Sequence, residues 1–134
     1  MVTSVILVLI SFAWLALAWF FRNIRRFHIP AMILLVVFDL FFPVYLYLTH
    51  DWWQRLIIHQ EALSFAVWSH LIFIIVLYSL YVLQIMAGRA MLQTEGADYQ
   101  AHQHNHAKQF IGIVIIRILV FASGALLIVP AGTQ

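Results

Sequence analysis

Seven histidines stand in a chain of 134 residues that holds only seven lysines and arginines. Neutral imidazole is the commonest protein ligand for transition metals and for haem iron. Three histidines fall at every second position in HQHNHAKQF (102–110), as His102, His104 and His106. His28 precedes Met32 by four residues, one helical turn if the segment is helical. Imidazole with a thioether suits copper or haem iron better than magnesium or calcium. His50, His59 and His70 complete the inventory. There is no cysteine, which excludes thiolate metal sites and disulfides. No nucleophile–base pair, glycine-rich phosphate loop or pair of catalytic carboxylates stands at a recognisable spacing, so the sequence does not read as an enzyme.

These residues must be positioned by a membrane fold. The chain is 65% apolar and 9% charged, a composition that cannot cover a soluble domain. Its net charge of +2 is small and dispersed, which argues against nucleic acid as a partner. A bilayer core takes about 20 apolar residues per helix. Four segments qualify, at about 2–21, 30–49, 62–87 and 109–129, in one transmembrane domain spanning 1–134. The expected fold is all-α, an integral membrane four-helix up-and-down bundle. Pro30 fits the first turn of the second helix, Pro43 should kink it, and Gly88 fits the end of the third. Residues 88–108 read as a polar cytoplasmic loop and the one candidate for disorder.

Charge sets the direction. Arg22, Arg25 and Arg26 lie in FRNIRRFH, and Arg89 and Lys108 share that side. The opposite connection, HDWWQRLIIHQE, has one arginine, two acids and two tryptophans. The positive-inside rule places both termini and the tryptophan segment on the non-cytoplasmic side. Trp52 and Trp53 read as interfacial anchors, with 52–58 as a short surface helix.

In this frame the histidines form two groups. His50 and His70 lie toward the outer face, with His59 between them in sequence, and can converge there. His28, Met32 and His106 lie toward the cytoplasmic face. For His70 the alternatives are a ligand and a hydrogen-bonded structural residue, since an imidazole at membrane depth needs a partner either way. For His28 and His106 the alternative is hydration at the headgroups. Asp39 and Arg117 each lie roughly 13 Å inside the cytoplasmic face at about 1.5 Å rise per residue, a depth at which charges pair or line a cavity. An Asp39–Arg117 ion pair joining the second and fourth helices is the expectation.

Several blocks together resemble the YozB/CtaM-like family of small four-helix bacterial membrane proteins, over about 25–127. HIPAM (28–32) looks like that family's His-x-x-x-Met entrance to its second helix. FFPVYLYLTH (41–50) is similar to its aromatic run ending in histidine, and SHL (69–71) to its Ser-His. HAKQF (106–110) followed by Ser123-Gly124 resembles its fourth-helix histidine and small-Gly pair. The chain departs from that pattern at Ile29, at Ala107, around Ile115 and at Arg117. The resemblance implies a role in maturing haem–copper terminal oxidases, and it makes His28, His50, His70 and His106 the leading ligand candidates.

The functional expectation is therefore an assembly factor for a haem–copper respiratory oxidase. It would sit in the bacterial inner membrane and handle haem b or copper, with the bilayer and an oxidase subunit or other membrane complex as partners. A small b-type cytochrome, even one with two haems, is the first alternative. An accessory structural subunit of a larger membrane complex is the second.

The ion pair yields a first prediction. Asp39→Asn or Arg117→Gln alone should reduce the yield of monodisperse detergent-solubilised protein more than the double variant does, because each single change strands one buried charge. Equal losses in all three variants would remove the pair.

Overall fold

The computed structural model describes residues 2–49 and 64–128. His50, His59, Trp52, Trp53 and the expected surface helix at 52–58 lie outside the described residues. Four α-helices account for nearly all of the rest: α1 (Val2–Phe20), α2 (Arg25–Thr49), α3 (Phe65–Gln93) and α4 (Gly96–Ile128). All four are long and apolar enough to cross a membrane. The protein is all-α and multi-pass. It divides into two compact units, one holding α1 and α2 and the other α3 and α4.

The first unit is an antiparallel hairpin. Its turn is tightened by short bonds from Arg22 N to the Trp19 carbonyl (3.2 Å) and from Ile24 N to the Phe21 carbonyl (2.9 Å). The Ile24 carbonyl then receives His28 N at 2.9 Å and starts α2. The helix therefore begins five residues ahead of the expected start, and Pro30 sits beyond its first turn. Pro30 and Pro43 both lie inside α2. Each lacks the N–H that would bond the carbonyl four residues back, at Arg26 and Asp39. Ser4, Ser11, Leu15 and Ala18 bury one stripe of α1, and Ala31, Leu35, Asp39 and Phe42 one stripe of α2. Trp14 Nε1 bonds the Ala31 carbonyl across the hairpin at 3.0 Å.

The second unit is longer. Ser64 caps α3, its hydroxyl accepting from Val67 N at 3.3 Å. Leu77, Tyr81, Gln84 and Ala87 are buried along α3; Phe110, Ile113, Arg117, Val120 and Leu127 are buried along α4. Spacings of three and four residues keep each stripe on one side of its helix, as in coiled-coil seams. The opposite faces carry exposed Ile72, Ile75, Leu83, Ile111, Ile115 and Ile118. In water such a surface would aggregate; in a bilayer lipid tails cover it without penalty.

The structure replaces the expected loop over 88–108 with helix. α3 continues through Gly88 to Gln93, and α4 starts at Gly96. Hydropathy locates the end of an apolar stretch, not the end of a helix. Beyond that point the residues include Ala90, Met91, Gln93, Ala97, Gln100, Ala101 and Lys108, all sound helix formers. At 29 and 33 residues, α3 and α4 run roughly 43 and 50 Å, longer than the roughly 30 Å hydrocarbon core. The true break is at Thr94, an extended C-cap residue whose hydroxyl bonds the Ala90 carbonyl at 2.9 Å. Gly96 follows with φ of 64°, the left-handed region that a side chain disfavours.

Gly96→Ala should therefore cost about 1 kcal/mol by forcing a side chain into that region. Thermal unfolding in detergent should show a lower midpoint, with Gly96→Asn milder. An unchanged midpoint for the alanine variant would mean that the turn is not closed by a left-handed residue.

Candidate functional site

The α3–α4 seam carries a histidine near each end, and each meets a glycine of the opposite helix. His70, half-buried on α3, lies against Gly124. A Cβ built on Gly124 would stand 3.1 Å from His70 Cε1 and 3.8 Å from each ring nitrogen. His106, half-buried on α4, lies against Gly88, where an added Cβ would stand 3.6 Å from Cε1. Glycine allows imidazole to approach the opposing helix backbone, as small residues do in membrane helix packing.

Their hydrogen bonds differ in kind. His70 Nδ1 is 2.9 Å from Ser123 Oγ. The same hydroxyl lies 2.6 Å from the Leu119 carbonyl and 3.1 Å from the Val120 carbonyl. Carbonyls only accept, so the single hydroxyl hydrogen is directed at them and Oγ receives Nδ1–H. The proton on Nδ1 leaves the lone pair on Nε2. His106 is in the same tautomer but spends its lone pair: Gln84 Nε2 donates to His106 Nε2 at 3.1 Å, so that nitrogen is engaged. Gln84 is buried, and His106 gives this amide a partner inside the seam.

In the first hairpin, His28 Nδ1 donates to the Ala18 carbonyl at 2.9 Å. Ala18 is in the last turn of α1, where carbonyls lack intrahelical partners. His28 thus bonds the end of α1 and, like His70, carries its proton on Nδ1. Met32 is half-buried one turn beyond His28 on α2.

The three histidines of HQHNHAKQF lie on α4. Residues two apart on a helix point in nearly opposite directions, so the alternation that suggests a chelate on paper disperses them. His104 is exposed, whereas His102 and His106 share a face and are half-buried. Among the described residues no three His, Cys, Asp or Glu side chains form a group able to hold a bare metal ion. Of the expected partners, His50 lies outside the described residues. His28 and His106 belong to different hairpins, each described by itself.

Asp39 is buried on α2 and Arg117 is fully buried on α4. Within α4 the Arg117 guanidinium carbon is 5.2 Å from the centroid of the Phe121 ring, a cation–π contact one helical turn away. Gln84 is absent from the residues that sequence reasoning selects, although a lone amide in an apolar helix is itself a signal at membrane depth. Ser123 and Gly124 enter the sequence reading only as a motif, without a partner assigned to them.

Comparisons with protein-family models, with characterised proteins and with solved structures return no match.

The two glycines should respond differently to alanine. At Gly124 the 3.1 Å approach forces the His70 ring to give by a few tenths of an ångström, and because Ser123 holds that ring, Gly124→Ala should cost roughly 1 kcal/mol. At Gly88 the 3.6 Å approach is ordinary contact, and Gly88→Ala should lie within about 0.5 kcal/mol of the parent or stabilise it. Unfolding by SDS titration reads both. Equal losses would mean that His70 is not seated on Gly124.

Proposed function

We propose that this protein is a haem-handling factor of the bacterial cytoplasmic membrane, serving the maturation of a haem–copper respiratory oxidase, with His70 as its principal iron ligand. The observation that carries the reading is the hydrogen bond from His70 Nδ1 to Ser123 Oγ. It holds a neutral imidazole at membrane depth with its lone pair on Nε2, the arrangement by which iron-ligating histidines are oriented.

Haem is favoured over copper by donor number. A bare copper ion needs several protein donors, whereas a porphyrin brings four nitrogens of its own and needs one or two axial ligands. A single oriented imidazole therefore suffices. His28, in the same tautomer, is the second candidate imidazole. When bound, haem supplies a redox-active iron and a large apolar macrocycle compatible with a membrane interior. The chain supplies orientation through Ser123, water exclusion through its apolar helices, and a neutral ligand that can be given up again. This is binding and delivery, not bond-making catalysis. The resemblance at 28–32, 69–71, 106–110 and 123–124 supports the link to oxidase maturation, and the arginines at 22, 25 and 26 support N- and C-termini outside the cytoplasm.

The oriented His70 imidazole also suits a resident haem, which would make the protein a small b-type cytochrome. Transfer separates the two readings. The purified protein in mild detergent should take up haem with a Soret band and a sharp reduced α band, both strongly diminished in His70→Ala. Bound haem should pass to excess apomyoglobin within minutes. Retention over hours would replace the carrier by a cytochrome. No uptake would leave an accessory subunit as the better reading.

A further inference from the structure

We propose that Ser123 is a positioning residue: it fixes His70 as the Nδ1–H tautomer and so assigns Nε2 as the nitrogen that takes iron. The proposal rests on the reading of His70 as a haem ligand, but its geometry is independent of that reading.

Ser123 has one hydroxyl hydrogen and two carbonyl acceptors, those of Leu119 and Val120, at 2.6 and 3.1 Å. Both carbonyls lie on the preceding turn of its own helix, so the hydroxyl stays directed at them while α4 stays folded. Oγ therefore faces His70 as an acceptor, at 2.9 Å from Nδ1. Gly124 supplies the second constraint. The ring edge bearing Cε1 lies so near the α4 backbone that a Cβ at position 124 would meet it at 3.1 Å. Turning the ring over would place a carbon against Oγ and lose the bond. Ser123, beside the Val120 backbone that also bonds the His70 ring, selects the proton's position, and Gly124 holds the ring close enough for the selection to act.

The strength of the partner also matters. A carboxylate behind an iron-bound histidine increases the charge on the ligand nitrogen and tightens the metal. A hydroxyl already sharing its hydrogen with carbonyls is a neutral and weaker acceptor. It defines the tautomer with only a modest increase in Nε2 basicity. That combination fits a ligand that must be correctly presented and later released.

The test uses the full chain in detergent with ¹⁵N-labelled histidine, and a His70→Gln sample to assign the His70 ring signals. Long-range ¹H–¹⁵N correlations at pH 8 read the tautomer without any metal. His70 in the parent should be protonated on Nδ1. Ser123→Ala should shift it toward Nε2–H, and Ser123→Thr, which keeps the hydroxyl, should restore Nδ1–H. A parent ring protonated on Nε2, or an alanine variant indistinguishable from the parent, overturns the proposal. Should the alanine variant fail to fold, the parent and threonine tautomers still decide. Haem titration of the same samples forms the second arm. Ser123→Ala should bind hemin roughly tenfold or more weakly, with a more positive midpoint potential, and Ser123→Thr should recover both. Parent-like affinity and potential in the folded alanine variant would overturn the positioning role. A parent that binds no hemin would overturn the ligand reading of His70, while the tautomer arm would still judge Ser123.

Discussion

A polar group placed inside a lipid-facing hairpin has no water to fall back on, and the second unit is organised by that constraint. Lipid tails neither donate nor accept hydrogen bonds, so a polar group buried there must find its partner within the protein. Imidazole demands the most because it presents both a donor and an acceptor. The hairpin meets part of the demand locally, with Ser123 taking the Nδ1–H of His70 and Gln84 donating to Nε2 of His106. Each contact needs the helices close, and glycine on the facing helix allows that at both places. The apolar layers between them can be exchanged for others of similar volume at modest cost. The polar layers cannot, because removing one partner strands the other.

The same constraint sorts the histidines by what each can offer. A ring whose Nδ1–H is directed at a protein acceptor carries its lone pair on Nε2, as His70 does. A ring whose Nε2 accepts from an amide, as His106 does, has that nitrogen committed to holding the hairpin. His28 and His106 look equivalent in sequence, each a histidine near the start of an apolar run. They differ because one closes the end of α1 and the other accepts from the amide nitrogen of a buried glutamine. The resemblance treats the four positions at 28, 50, 70 and 106 alike. Hydrogen bonding gives the described three unequal roles.

The four helices were legible in the sequence because apolar length is what the bilayer requires. Their ends were not. Hydropathy marks the edge of the hydrocarbon, and α3 and α4 continue beyond it on residues that favour helix for reasons unrelated to lipid. Gly88 illustrates the ambiguity. Glycine after an apolar run is a reasonable C-cap signal, yet here it serves as the contact that admits His106. That His70 needs a hydrogen-bond partner was legible from its depth, because a polar ring among apolar residues must be satisfied within the protein. Which nitrogen carries its proton was not. That depends on a serine 53 residues away and on that serine's own carbonyl partners, a three-body arrangement that spacing does not encode.

If His70 ligates haem as proposed, the energetic consequence bears on how a small membrane protein would hold a large cofactor and still release it. Affinity for haem iron grows with axial-ligand basicity and with how little freedom the ligand loses on binding. In that proposal Ser123 and Gly124 would address the second term: a ring already oriented would lose little entropy on ligation. They leave the first term low, because a shared hydroxyl withdraws the Nδ1 proton only weakly. Pre-organisation favours capture and weak donation favours release. A carboxylate at position 123 would strengthen the bond to iron, but it would place an unneutralised charge in the membrane and hold the haem past its delivery. In this seam a neutral hydroxyl is a partner compatible with the bilayer and with the transient ligation proposed for His70.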